Sequence, residues 1–195
     1  HYGPGRYSPG TGCEGGLEAS ARELLEEMER LGILLDLTHC SDRSFWETLD
    51  HYSGLVLASH NNCRALVPHQ RQFDDAQLRA IIDRNGVIGT AFDDWMLYPG
   101  WTLKDPGNRE VSLSNIVDHI DHVCELAGNS CHAAIGSDLD GGFGREQSPH
   151  DLDTIADEQK IIGVLAERGY SDDDICNIMY VNWLRLFRQA WKADG

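Results

Sequence analysis

No apolar run in this 195-residue chain approaches the roughly 20 residues that a membrane-spanning helix needs, so no membrane span is expected. Basic residues are scarce. Sixteen Lys and Arg stand against 32 Asp and Glu, for a formal net charge of −16, which argues against nucleic acid or an anionic membrane surface as a partner. Glu23, Glu26, Glu27 and Glu29 cluster on one expected helix and read as a solvated face. No C-x-x-C pair occurs among the six cysteines, which removes the common zinc-ribbon spacings, and a chain of this size does not need disulfide staples. Reduced, mostly buried thiols are expected, with Cys124 and Cys131 the one pair that a helix-to-strand turn could join. His1 opens the sequence with no Met and no signal-like segment, so it reads as a piece of a longer protein. The unpatterned cysteines point to the cytoplasm.

What is present is an ordinary globular composition, 41% hydrophobic and 25% charged, enough for one sizeable domain over residues 1–195. Residues 1–16 read as a Gly/Pro/Ser loop. Leu17 to Leu31 reads as an amphipathic helix with Leu17, Ala21, Leu24, Leu25, Met28 and Leu31 on one stripe. Ser41-Asp42 caps a second helix carrying Phe45, Trp46 and Leu49. A third begins at Asp74 or Asp75, carries Leu78, Ile81 and Ile82, and ends at Asn85-Gly86. A fourth covers Val111 to Leu126, and helices near 153–168, 172–179 and 181–192 close the chain. Between them run four apolar strands, from Ile33 to Thr38, Leu55 to Ser59, Val87 to Phe92 and Ala133 to Ser137. Strands alternating with helices imply a parallel sheet. Four strands give either half of an eight-stranded barrel or a smaller open sheet. Residues 93–110 read as an irregular loop with Trp95, Tyr98 and Trp101.

Three of these strands end on chemistry. The first runs into His39, the second into His60 and the fourth into Asp138. In a β/α barrel the C-terminal strand tips share one cavity, where the reaction takes place. Either histidine alone would read as a hydrogen-bonded core residue. Two at equivalent tips of neighbouring strands suit zinc or a similar borderline ion. Asp138 could bind metal, accept a proton from a metal-bound water or simply start a turn, whereas Asp140 beside the glycines fits the turn better. Arg71 could pair with a substrate carboxylate, although its loop position suggests surface. His119 and His122 lie at i, i+3 between Asp118 and Asp121 and read as a polar helix face. A catalytic Cys–His pair from Cys40 or Cys63 is the remaining nucleophile option.

Taken in order, several motifs resemble the membrane (renal) dipeptidases, zinc peptidases of the amidohydrolase barrel superfamily. They are Gly15-Gly16-Leu17, Leu34 to Asp42 (Leu-Leu-Asp-Leu-Thr-His-Cys-Ser-Asp), Ala58-Ser59-His60-Asn61-Asn62, Arg64-Ala65-Leu66 and Gln70-Arg71. Gly136 to Gly141 (Gly-Ser-Asp-Leu-Asp-Gly) and Asn182 to Phe187 (Asn-Trp-Leu-Arg-Leu-Phe) complete the set. The resemblance implies a (β/α)8 TIM-type barrel, here its second half (strands five to eight) with C-terminal helices. It implies hydrolysis of a dipeptide amide by a metal-bound hydroxide at a binuclear Zn2+ centre. His39 and His60 are then metal ligands and Asp138 works on the nucleophilic water. Arg71 holds the substrate carboxylate, and His1 contacts the scissile carbonyl. Small peptides are the implied substrates, and homo-oligomers the implied assembly. The family's strand-one His-x-Asp pair and strand-three glutamate have no match in this sequence, so the 195-residue chain is expected to be inactive or nearly so by itself. Asn61-Asn62 replace residues the family keeps small, and Asp93-Asp94-Trp95-Met96 has no counterpart there. The competing readings are another amidohydrolase acting on a cyclic amide, lactone or deaminase substrate, and a non-catalytic truncated barrel module.

Overall fold

Ladder and cap hydrogen bonds account for which of these segments become regular. The computed structural model describes residues 2–104 and 111–191. Four strands, β1 (Leu35–Asp36), β2 (Val56–Ala58), β3 (Val87–Thr90) and β4 (Ala133–Ile135), form one parallel sheet in the order β1-β2-β3-β4. Chain order and spatial order coincide, as successive βα units require. The strands are shorter than the apolar runs that carry them. Their ends are turned by side chains: the Asp36 carboxylate accepts from the Thr38 and Ser59 amides, which takes those residues out of the ladder.

Alternate strand residues feed two cores, as expected of a parallel sheet covered on both faces. Val56, Ala58, Ile88 and Ala133 pack with the helices α2 (Asp42–His51), α3 (Asp75–Asp83) and α5 (Leu113–Ala127) in the larger core, around Phe45, Phe73, Leu78, Ile116 and Ile120. Leu57, Val87 and Ala134 face the other way, against Trp183 and Leu186 of the C-terminal helix α8 (Asn182–Ala190). Gly89 and Gly136 lie on the crowded side: a Cβ on either would overlap the Ser59 carbonyl oxygen. That explains the glycine in Gly136-Ser137-Asp138.

The helices start where side chains can satisfy their free amides. Ser41 caps α2 by accepting from Ser44, and Asp74 and Ser112 form capping boxes with Gln77 and Asn115 at α3 and α5. The first helix, α1 (Ala21–Arg30), begins four residues later than its stripe predicts. The Leu17 amide is already committed to the Glu47 carboxylate at 2.6 Å. Leu31, expected inward, caps the helix and is exposed. The segment expected to be an irregular loop holds a short helix, α4 (Asp94–Leu97). After 3-10 turns at Arg145–Gln147 and Ile155–Gln159 come α6 (Lys160–Glu167), α7 (Asp172–Cys176), a π-turn at Asn177–Val181 and α8 (Asn182–Ala190).

The last helix also closes an edge. His132 and Thr90 carbonyls take part in the β3–β4 ladder, so the Ala133 and Ile135 carbonyls point away from β3. They accept from Asn182 Nδ2 at 2.8 Å and Trp183 Nε1 at 2.8 Å. An exposed strand edge is thereby capped by side chains. No helix among the described residues is long and apolar enough to cross a membrane.

All six cysteines are free, so Cys124 and Cys131 do not pair. Only Cys63 is fully buried, fewer than expected, and burial pushes its thiol pKa up. Cys131 is exposed. A thiol reagent applied to native protein should label Cys131 and leave Cys63 untouched until denaturant is added. Mass spectrometry of the labelled peptides checks this, and early labelling of Cys63 would contradict the packing.

Candidate metal and hydrolase site

Each of the three strand tips overshoots its strand, and the overshoot aims the side chain. His39 lies three residues past β1 with φ +70° and Asp138 three past β4 with φ +58°. Such left-handed backbone is uncommon for residues with a Cβ and clusters at functional sites. Asn85, in a helix-terminating turn, is the third case among the described residues. Gly141 belongs to the same turn as Asp138: its amide bonds the Asp138 carbonyl at 2.7 Å, and a Cβ there would come 2.6 Å from the Asp138 carboxyl oxygens. Asp138 is thus both the turn residue and the strand-tip carboxylate, two roles that the sequence pattern divides between Asp138 and Asp140.

The imidazoles of His39 and His60 converge. Their Nε2 atoms are 3.1 Å apart, with ring centroids at 5.1 Å and planes at 63°. Each Nδ1 is held by a hydroxyl, His39 by Thr11 Oγ1 at 3.0 Å and His60 by Ser59 Oγ at 2.8 Å. Asp138 Oδ2 stands 3.9 Å from His60 Nε2, and the Tyr2 ring lies edge-on to His39 at 5.0 Å. Burial, reinforced by the nearby Arg71 charge, pushes the His39 pKa down to about 3 and that of His60 down as well. Both rings are therefore neutral at pH 7, the form in which imidazole binds metal.

That arrangement fits a metal. Two nitrogens each about 2.05 Å from a tetrahedral zinc are about 3.3 Å apart, close to the 3.1 Å found. The hydroxyl on each Nδ1 would orient the ring toward such an ion. The pair stands without further donors: among the described residues no group of three or more His, Cys, Asp or Glu could hold a metal ion.

Arg71 is not a surface residue. It is 2% exposed, and its guanidinium donates to Asn61 Oδ1 and to the His60 carbonyl, both at 2.7 Å. Its Nε is buried without a hydrogen-bond partner. Arg71 thus touches the backbone of His60, its guanidinium held by the Asn61 side chain. His1 lies outside the described residues.

His119 and His122 separate. His122 pairs with Asp75 at 2.8 Å, as a polar face would. His119 is instead buried, its Nδ1 accepting from the Cys63 amide at 3.1 Å, and burial pushes its pKa down to about 4. The helix turns it inward between Ile116 and Ile120, a position that periodicity alone could have flagged. Cys40 and Cys63 are not activated nucleophiles, since burial pushes the Cys40 thiol up to about 12 and that of Cys63 up too. Sequence reading also missed Asp36, Ser59 and Thr11 as supports of the two imidazoles. It missed the link in which Asp93 accepts from Trp95 Nε1 at 2.6 Å and Gln147 Nε2 at 2.8 Å. This link ties the loops after β3 and β4 together on the side of the sheet that carries the histidines.

Residues 6–194 match the family described as Membrane dipeptidase (Peptidase family M19). A Klebsiella pneumoniae protein described as "Uncharacterized protein in pqqA 5'region" is 33% identical over 187 residues, 95% of this chain and 64% of its own length. "Dipeptidase tcpJ" of Claviceps purpurea is 32% identical over 175 residues, 90% of this chain and 39% of its own. Among solved structures, a metallo peptidase from Rhodobacter sphaeroides, liganded with a phosphinate mimic of the dipeptide L-Ala-D-Ala, superposes with TM-score 0.82 at 25% identity. The match covers 95% of this chain and 52% of that one. The chain therefore spans from about two-fifths to just under two-thirds of the lengths of these relatives. Its four parallel strands are part of a TIM-type barrel.

Proposed function

The chain belongs to the membrane dipeptidase family, peptidase family M19, a family of metal-dependent peptidases, and from that premise we propose that it carries one metal-binding wall of a zinc-dependent dipeptide hydrolase. The observation that carries this reading is the pair of neutral imidazoles with Nε2 atoms 3.1 Å apart at neighbouring strand tips. His39 and His60 would hold the zinc. When bound, it supplies a water acidic enough to attack at neutral pH and polarises the substrate carbonyl.

The remaining roles belong to the chain itself. Asp138, whose carboxylate lies 3.9 Å from His60 Nε2, takes the proton of the attacking water and returns it to the leaving amine. Arg71, held against the His60 carbonyl and Asn61, sets a fixed positive charge next to His60 that attracts the carboxylate of a dipeptide. A substrate lacking that carboxylate, such as a lactone, would gain nothing from it. His1, on the resemblance given above, meets the scissile carbonyl. β1 is an end strand of the sheet, and self-association through such an edge is part of the same reading.

Zinc content of the purified protein, measured by elemental analysis with and without a His39→Ala/His60→Ala double variant, is the test. Wild-type protein supplied with zinc should retain metal that the double variant does not. Two imidazoles are half of the four donors in a closed zinc site, so retention should be weak and dipeptide hydrolysis by this chain alone slow. Equal zinc in both proteins would overturn the assignment of ligands.

A further inference from the structure

Two imidazoles of one site need not be held in the same way, and here they are not. Asp36 Oδ1 accepts from the Thr38 and Ser59 amides at 3.0 and 3.1 Å, and Oδ2 accepts from Ser59 Oγ at 2.5 Å. A carboxylate only accepts, and a serine hydroxyl has one proton to give. The Ser59 proton is spent on Asp36. Toward His60 Nδ1, 2.8 Å away, Ser59 Oγ can then only accept. His39 ends on a different group, Thr11 Oγ1 at 3.0 Å, whose hydroxyl has no carboxylate behind it among the contacts of the described residues.

We propose that Asp36 is a positioning residue that acts through Ser59 to fix His60 as the Nδ1–H tautomer, so that its Nε2 always presents a lone pair to the site, while Thr11 leaves His39 free to change tautomer. The inference rests on the metal-site reading above for its purpose, though not for its geometry. Donor counting closes around it. With His60 Nε2 unprotonated, the 3.1 Å contact between the two Nε2 atoms needs a proton from His39. His39 Nδ1 then accepts from Thr11. When both Nε2 atoms face a cation, the His39 proton moves to Nδ1 and the Thr11 hydroxyl turns from donor to acceptor. His60 changes nothing. The site is thus half preset and half adjustable.

An isosteric substitution separates this role from simple stapling of β1 to β2. In Asp36→Asn the amide oxygen keeps the two backbone N–H bonds, and the Nδ2 group faces Ser59 Oγ as a donor. Of the two acceptors left to Ser59, His60 Nδ1 at 2.8 Å is far closer than Thr38 Oγ1 at 3.5 Å, so the Ser59 proton goes to His60, which moves the ring proton to Nε2 and blocks the lone pair. Ser59→Ala only releases the ring. Imidazole 15N shifts of the full 195-residue chain, metal-free and with His60 assigned by its loss in a His60→Gln variant, read the tautomer directly. Zinc titration by calorimetry reads the consequence. The expected result is Nδ1–H in wild type and Nε2–H in Asp36→Asn. Zinc affinity should fall roughly 10- to 100-fold in Asp36→Asn and by less in Ser59→Ala. Nε2–H in wild type, or an unchanged tautomer in Asp36→Asn, overturns the proposal. If wild type takes up no zinc, the metal reading fails, while the 15N shifts still decide the relay.

Discussion

Asp94→Asn should raise the stability of the protein at pH 7 and leave it nearly unchanged at pH 4. Asp94 opens α4, is 2% exposed, and has a buried Oδ1 with no hydrogen-bond partner. Burial is the main force on its carboxyl, and the neighbouring Asp93 and Asp151 charges add to it. Together they push the pKa from an aspartate's ordinary 3.8 up to about 8. The direction of the linkage follows. Between pH 4 and pH 8 the unfolded chain has lost this proton and the folded chain keeps it. Stability therefore falls as pH rises through that window, by at most about 1.4 kcal/mol per pH unit. Asparagine occupies the same volume and has no proton to lose. The advantage of the variant should be near zero at pH 4, grow steadily and reach a few kcal/mol by pH 7. Urea unfolding of both proteins at pH 4.5, 6 and 7.5 measures it. The high net charge acts alike on both proteins, so it cancels in the difference. A difference that does not change with pH would mean that Asp94 ionises normally in the folded chain.

Asp94 also illustrates what the sequence could not express. Asp93-Asp94 falls in a segment that reads only as an irregular loop, because burial of a carboxylate is decided by residues distant in the chain. Asp93 draws its partners from Trp95 and Gln147, and the second of these lies 54 positions away. The elements with strong local signals fared better. Periodicity places Ile116, Ile120, Val123 and Leu126 or Ala127 of α5 inward and puts Leu78, Ile81 and Ile82 on α3; Ile116, Ile120, Val123, Leu78 and Ile81 are buried, while Ile82, Leu126 and Ala127 are half-buried. The histidine-tipped strands were legible because each apolar run stops abruptly at a polar residue. Their true ends were not, since Asp36 terminates both β1 and β2 through its side chain. The convergence of His39 and His60 followed from equivalent positions in successive βα units. Their hydroxyl partners did not, because Thr11 comes from a loop 28 residues before His39. Arg71 shows the limit most clearly. Its loop position suggested solvent, and only the fold of residues 61–73 reveals that Asn61 and the His60 carbonyl enclose it.

Asn62→Ala should be among the most destabilising single changes in this chain, on the order of 3 kcal/mol, although it deletes no hydrophobic contact. Asn62 is fully buried. Its Oδ1 accepts from the Ala91 amide at 2.7 Å, and its Nδ2 donates to the Ala91 and Met96 carbonyls at 3.1 and 3.2 Å. The side chain thus pairs with both backbone groups of Ala91 and continues the β2–β3 ladder one step beyond the last strand residues. Alanine would leave the Ala91 amide and carbonyl buried and unpaired, at about 1–3 kcal/mol each. Met96 would lose less, because its carbonyl also accepts from Gln72 Nε2 at 2.8 Å. The charge distribution gives a sharper check. Asn62→Asp preserves shape and the acceptor for Ala91, but it turns an oxygen toward two carbonyls. It should therefore destabilise at least as much as alanine at pH 7 and recover on acidification, when the carboxyl can donate. Chemical denaturation of the two variants at pH 5 and pH 7 distinguishes this from a volume effect, which would make aspartate the milder change at both. The same substitution reaches the candidate site. Asn62 follows Asn61, whose Nδ2 bonds the Asn62 carbonyl at 2.9 Å and whose Oδ1 anchors Arg71. Loss of Asn62 should loosen the segment that carries His60 and Arg71 together, so weaker zinc retention is expected to accompany the lower stability.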